Sequence, residues 1–120
     1  MGRDAMALNL ARMSWPDRVV VGDVFLVRVL VQHPMETGYL QDNEGRTVPR
    51  NVIQTLSCHW VGEGAPPQEV FRVEPSSGIS ANPLFEFYLR ATRSGELWLR
   101  WIDDAGQMGQ LRQVLTVQSA

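Results

Sequence analysis

The stretch that decides the fold is LFEFYLRATRSGELWLRWIDDAGQMGQLRQVLTVQ, residues 84–118. Phe85, Phe87 and Leu89 share one side of the first segment, and Leu97, Leu99 and Trp101 share one side of the second, alternating with Trp98, Arg100 and Ile102. Side chains on a strand point alternately to opposite faces, so a period of two marks strands with one buried face. The Ser94-Gly95 pair reads as a tight turn into the second segment, and Asp-Asp-Ala-Gly at 103–106 as a hairpin turn into the third.

Working outward, the same period recurs. In Val24 to His33 the positions Phe25, Val27, Val29 and Val31 are apolar, after a Gly22-Asp23 turn signal. Residues 51–61 and 69–74 read as two further strands, and RMSWP with RVVV before Gly22 can supply another. The helical pattern is confined to AMALNLARM at residues 5–13, too short to be stable alone. Six to eight short strands separated by turn residues imply an all-β, immunoglobulin-like β-sandwich. At 120 residues the chain holds one domain, able to bury a core without staples.

Composition narrows the function classes. The formal net charge is −2 and all eleven basic residues are Arg. That balance argues against a nucleic-acid partner, which calls for a clustered basic surface. Arg without Lys suits interfaces, because its planar fork sheds water readily, although a composition bias gives the same count. No stretch is long or apolar enough for a membrane helix, and the first residues lack the apolar core of a secretory signal. The alternate face of the 24–33 strand carries Leu26 and Leu30, and Trp98 lies beside Ile102 on the outer side of theirs. A solitary monomer usually shows less apolar surface. Either these side chains tuck inside at a bulge or sandwich end, or they meet a partner.

The chemistry-bearing residues are few. His33, Met35, Cys58 and His59 are ligand types that copper accepts. Cys58 and His59 are adjacent on one strand, however, so they face opposite ways and cannot both join His33 at an ion. Cys58 sits mid-strand, where a small buried hydrophobe is the commoner role than a reactive thiol. Asp103-Asp104 suits a turn better than paired acid–base work. The remaining features are two long connections. One is PMETGYLQDNEGRTVPR, residues 34–50, in which Asp-Asn-Glu-Gly can close a small hairpin; the other is EPSSGISANP, residues 74–83. Connections this long on a rigid scaffold are more often functional than idle.

Four segments together, HPMETG at 33–38, VPRNVI at 48–53, ISANP at 79–83 and SGELWLRWIDDAG at 94–106, resemble the SoxZ family. The likeness runs from about Arg12 to the end of the chain, leaving residues 1–11 as an extension that has no counterpart and the domain as residues 12–120. The resemblance implies a carrier subunit without catalytic site, metal or cofactor, paired with SoxY as a heterodimer in thiosulfate oxidation. The sulfur intermediates would ride on a cysteine in a Gly-rich arm of SoxY; this sequence ends LTVQSA, so Cys58 is not expected to be the carrier thiol. Other implied contacts are transient, with the cytochrome, hydrolase and sulfane dehydrogenase of the Sox system. The location implied is the periplasm, by co-export with SoxY. On this reading the partner-binding residues are His33, Pro34, Met35, Glu36, Thr37, Gly38, Pro49, Arg50, Ile79, Ser80, Ala81, Asn82 and Pro83. Met35 and the prolines are expected to give rigid apolar contact, and Glu36 and Arg50 polar complementarity. The alternatives are a similar carrier subunit in another periplasmic pathway, for example beside a quinoprotein dehydrogenase, or a small metal or electron-transfer protein.

Overall fold

The computed structural model describes residues 11–76 and 78–120. They form seven strands: β1 (Ala11–Ser14), β2 (Val24–Val31), β3 (Ile53–Gly62), β4 (Gln68–Val73), β5 (Leu84–Arg90), β6 (Gly95–Asp103) and β7 (Met108–Leu115). One sheet has the order β1-β2-β5 and the other β4-β3-β6-β7. All strand pairs are antiparallel. This is the all-β sandwich that the alternation implies.

The core lies where the apolar alternates of the two sheets meet. Phe25, Val27, Val29 and Val31 of β2 are buried on one side, and Leu56 and Cys58 of β3 with Leu97, Leu99 and Trp101 of β6 on the other. Branched side chains at every second position of β2 fit the pleat and leave Arg28 and Leu30 outside. At the rim, Phe71 of β4 stacks on Phe87 of β5 with ring centroids 4.7 Å apart, joining the two sheets. The register slips between Cys58 and His59, where β4 passes from Phe71 to Glu69. Val70 is the extra residue of that bulge and is drawn toward the core as well.

Two expectations change. Ser94-Gly95 does not close a hairpin within a sheet: β5 pairs with β2, whereas β6 pairs with β3 and β7. The link carries the chain from one sheet to the other. Gly95 is required there by proximity, since a Cβ on it would stand 2.2 Å from the Val61 carbonyl oxygen. Ser94 seals the crossing through its hydroxyl, which accepts the Val117 N–H at 2.8 Å. By contrast, Asp103–Gly106 is the expected β6–β7 hairpin, with Gly106 at φ +81° and open space around it. The second change is at the N-terminus. Residues 5–10 of the helical pattern lie outside the described residues, while Ala11 and Met13 turn inward on β1 and Ala11 opposes Val31. The edge of β2 offers a row of unpaired backbone groups, and pairing them outweighs a weak helix propensity. Ala11, placed with the extension by the resemblance, is thus part of the first sheet.

Candidate functional site

Both long connections end up at one end of the sandwich. His33 prolongs the alternation of β2 by one more inward position, and Asn82 meets it from the start of β5. The His33 N–H donates to Asn82 Oδ1 at 3.0 Å, and the Asn82 N–H donates to the His33 carbonyl at 2.7 Å. Asn82 holds φ at +52°, a left-handed conformation that Asn tolerates better than most residues. Pro83 follows and its carbonyl accepts the Val31 N–H, so the HP and NP segments are stitched together.

The His33 ring is the centre of this end. Its Nδ1 accepts the Met35 N–H at 3.0 Å, and its Nε2 lies 3.0 Å from Asp103 Oδ2. Since Nδ1 accepts, the ring proton sits on Nε2 and is donated to the carboxylate. The other oxygen of Asp103 accepts the Gln107 N–H at 2.9 Å. His33 and Asp103 are only 6% and 3% exposed. His33 hangs from the three-stranded sheet and Asp103 ends β6 in the four-stranded one, so this pair bolts the two sheets together. A buried polar pair of this kind is stable because each member is fully hydrogen-bonded.

The next residues tighten the same end. Met35 takes φ +51° and turns its side chain inward, where Sδ accepts the Ile53 N–H at 3.5 Å. Glu36 and Asn51 exchange two backbone hydrogen bonds at 2.9 Å. Asp104 accepts from Gln54 Nε2 at 3.0 Å and from the Val52 N–H at 3.1 Å, with the Arg50 guanidinium 3.2 Å away. The Gln54 bond first, then the Val52 bond and the charge of Arg50, hold the Asp104 carboxyl below the usual carboxylate range, against the opposite pull of burial. Asp103-Asp104 is therefore a turn, as read from sequence, and each acid also carries a clamp.

The thirteen residues singled out divide by burial. His33, Met35 and Pro83 are buried, Glu36, Thr37 and Gly38 are half-buried, and Pro34, Pro49, Arg50, Ile79, Ser80, Ala81 and Asn82 face solvent. Met35, expected to offer an apolar contact outward, is 3% exposed and belongs to the core instead. The left-handed turn after Pro34 points its side chain at the sandwich. The outward apolar surface is supplied by Tyr39 and Leu40, 85% and 60% exposed, which the sequence reading passed over. They stand at the mouth of the Asp-Asn-Glu-Gly hairpin, confirmed by the Gln41–Thr47 bridge and the Asp42–Arg46 backbone bond. The available signal was an aromatic and a leucine side by side in an otherwise polar segment.

The residues of the copper idea do not converge. Both ring nitrogens of His33 are engaged, Cys58 is in the core, and His59 lies on the opposite face of β3 near Glu69. Among the described residues no group of three or more His, Cys, Asp or Glu is placed to hold a metal ion. Burial pushes the Cys58 thiol up to about 12. At pH 8 the thiolate fraction is then about one in 10⁴. Alkylation of Cys58 is accordingly expected to follow global unfolding, with a rate that rises steeply only when denaturant populates the unfolded chain. Rapid labelling of the folded protein with Ellman's reagent at pH 8 would contradict this burial.

The apolar surface suspected on the outer faces is present. Leu30 of β2 is exposed beside Leu84 of β5, and Leu26 is half-buried beside Tyr88, with Val24 exposed at the end of the same strand. Neither leucine is tucked into the core. Trp98 lies on the outer face of the other sheet, where Arg112 covers its ring at 3.9 Å.

The family described as sulphur oxidation protein SoxZ matches residues 13–113. No curated protein matches the chain. Among solved structures, the superoxide reductase (neelaredoxin) of Ignicoccus hospitalis superposes with a TM-score of 0.71 at 24% identity, over 90% of this chain and 80% of that one. The superoxide reductase of Nanoarchaeum equitans gives 0.66 at 16% identity, over 88% and 90%. The reduced neelaredoxin of Archaeoglobus fulgidus gives 0.65 at 20%, over 89% of both chains. At such identities the likeness is one of fold, a shared β-sandwich.

Proposed function

Because the chain belongs to the SoxZ family of sulfur oxidation proteins, we propose that it is the non-catalytic subunit of a SoxYZ carrier. In this reading it scaffolds a SoxY chain whose cysteine holds the sulfur intermediates. It helps present that chain to the cytochrome, hydrolase and sulfane dehydrogenase of the thiosulfate pathway, in the periplasm after export bound to SoxY. The observation that supports it is the end of the sandwich built around His33. A rigid, fully hydrogen-bonded base carries an exposed rim of Pro34, Tyr39, Leu40 and Ile79, with Glu36 and Arg50 beside it. Aromatic and aliphatic anchors on a fixed base, rimmed by charge, are what a protein–protein contact uses. The deeply buried Cys58 agrees with a chain that does not itself carry the sulfur.

The test is co-expression with SoxY followed by native and intact mass spectrometry on complex from thiosulfate-fed cells. A one-to-one complex with sulfur adducts on SoxY alone is expected. Replacing Tyr39→Ser and Leu40→Ser together is expected to weaken assembly or turnover with the Sox enzymes by about 30-fold, a loss of roughly 2 kcal/mol. Adducts on Cys58, or a double variant that assembles and turns over like the parent, would defeat the proposal.

A further inference from the structure

The outer face of the four-stranded sheet carries a second feature that the docking end does not explain. Cross-strand register puts Arg72 of β4, Ser57 of β3, Arg100 of β6 and Gln110 of β7 in one row. The neighbouring row holds Glu69, His59, Trp98 and Arg112, with Glu69 Oε1 4.0 Å from His59 Nε2. Side chains two residues apart on a strand share a face, so the two rows form one surface. Arg72 and Arg100 flank Ser57 one strand away on either side, about 10 Å apart at the backbone. That spacing lets two guanidinium forks close on one small ligand. A concavity of about 360 Å³ opens between Ser57, His59, Arg72 and Arg100, with Ile102 and Met108 at its apolar end, and adjoins one of about 120 Å³ against Trp98 and Arg112.

Charge at this spot is unbalanced. Among the described residues Arg100 has no carboxylate within ion-pair distance. Arg72 shares only its Nε with Glu69, at 3.0 Å, leaving its terminal amines free. Arg112 has its guanidinium carbon 3.9 Å over the Trp98 ring, which holds its position without neutralising it. The other acid on this face, Glu96, accepts from the Trp98 indole N–H at 2.9 Å and stands four residues, about 13 Å, from Arg100. The middle of the face thus offers three guanidinium groups, an imidazole and a serine hydroxyl around a hollow, with the Glu69 carboxylate at its edge against Arg72 and His59 and, among the described residues, none against Arg100 or Arg112. Guanidinium forks match the paired oxygens of tetrahedral oxyanions.

We propose that the hollow around Arg100, with Arg72, Arg112, His59 and Ser57, binds a sulfur oxyanion of the sulfate, thiosulfate or sulfonate type. The oxyanion is either free in solution or the terminal sulfonate of a modified cysteine on another chain. The kind of anion rests on the sulfur-oxidation reading, whereas the site itself rests on the arrangement of the side chains. Arg100 binds through both terminal amines, Arg72 and Arg112 close the sides, and the Ser57 hydroxyl donates from the floor.

The experiment is a titration of the uniformly ¹⁵N-labelled full chain at constant ionic strength, with chloride as the reference salt. Sodium sulfate and sodium thiosulfate form one arm; a short peptide bearing S-sulfocysteine, against the same peptide reduced, forms the other. Saturable shifts of the Trp98 indole and Arg100 Nε–H signals are expected. Arg100→Ala should weaken binding tenfold or more, and Arg12→Ala, on the far sheet, should leave it unchanged. Tighter binding of the sulfonated peptide than of free sulfate assigns the site to a protein-borne group, and the reverse to a free oxyanion. Shifts that grow linearly without saturation, that chloride reproduces, or that survive Arg100→Ala overturn the proposal. SoxY assembly, read separately through the Tyr39/Leu40 variant, does not depend on this result.

Discussion

Gly95→Ala is expected to destabilise the domain by about 3 kcal/mol or more, the upper range for forcing atoms into a closed space. For a domain this size that lowers the melting temperature by roughly 12 °C. The reason is a collision with backbone, which cannot swing away. The new Cβ would lie 2.2 Å from the Val61 carbonyl oxygen and 2.8 Å from Gly62 Cα. Relief requires β3 and β6 to part at the point where the chain has just crossed from the other sheet. Gly106→Ala is the control, because its surroundings are empty and only its φ of +81° resists. That strain costs about 1 kcal/mol. Thermal unfolding followed by circular dichroism separates the two. A Gly95→Ala protein melting within 3 °C of the parent would mean that the crossing is looser than described.

Removing the carboxylate of Asp103 is the second large effect. Asp103→Ala leaves the Nε2–H of His33 and the N–H of Gln107 without acceptors inside the fold. The His33 donor is buried, and a buried donor left unsatisfied costs about 1–3 kcal/mol. The Gln107 N–H, on an exposed residue, can turn to water, so the loss expected is about 2–3 kcal/mol with the burial of Asp103 itself. Asp103→Asn keeps the shape but turns one of its two acceptors into a donor, and should fall between parent and Ala. The discriminating measurement is a double-mutant cycle in urea with His33→Ala. A coupling of about 1–3 kcal/mol marks a direct pair. Strictly additive single losses would show that His33 and Asp103 stabilise the domain independently.

The fold could be read from sequence because period two is written plainly in β2 and β6, and because Asp103–Gly106 is a turn by composition. The path between sheets could not. A Ser-Gly pair looks alike whether it closes a hairpin or crosses a sandwich, since the difference lies in which strand receives Gly95. The two long connections could be picked out, but not which of their side chains face outward. His33-Pro34-Met35 looks like an exposed motif, and only the left-handed turn at Met35 sends that side chain inward. The partnership of His33 with Asp103 spans 70 residues of sequence. No local pattern announces it, and Asp103 already had a sufficient role as a turn residue. The arginine face escaped notice for a related reason. Arg72, Arg100 and Arg112 each alternate correctly as solvent-facing positions, and only the strand order of the sheet makes them neighbours.

The bolt between the sheets bears on how quickly and tightly this protein can join another. A loop that must freeze when it docks loses rotational freedom at that moment, and affinity falls accordingly. Here the freezing is complete before any encounter, because His33, Met35, Asn51, Asp103 and Asp104 are locked during folding. In the proposed carrier the rim above them is a preformed die. The association proposed for it is therefore expected to be rigid-body recognition, with little shape change between free and bound states.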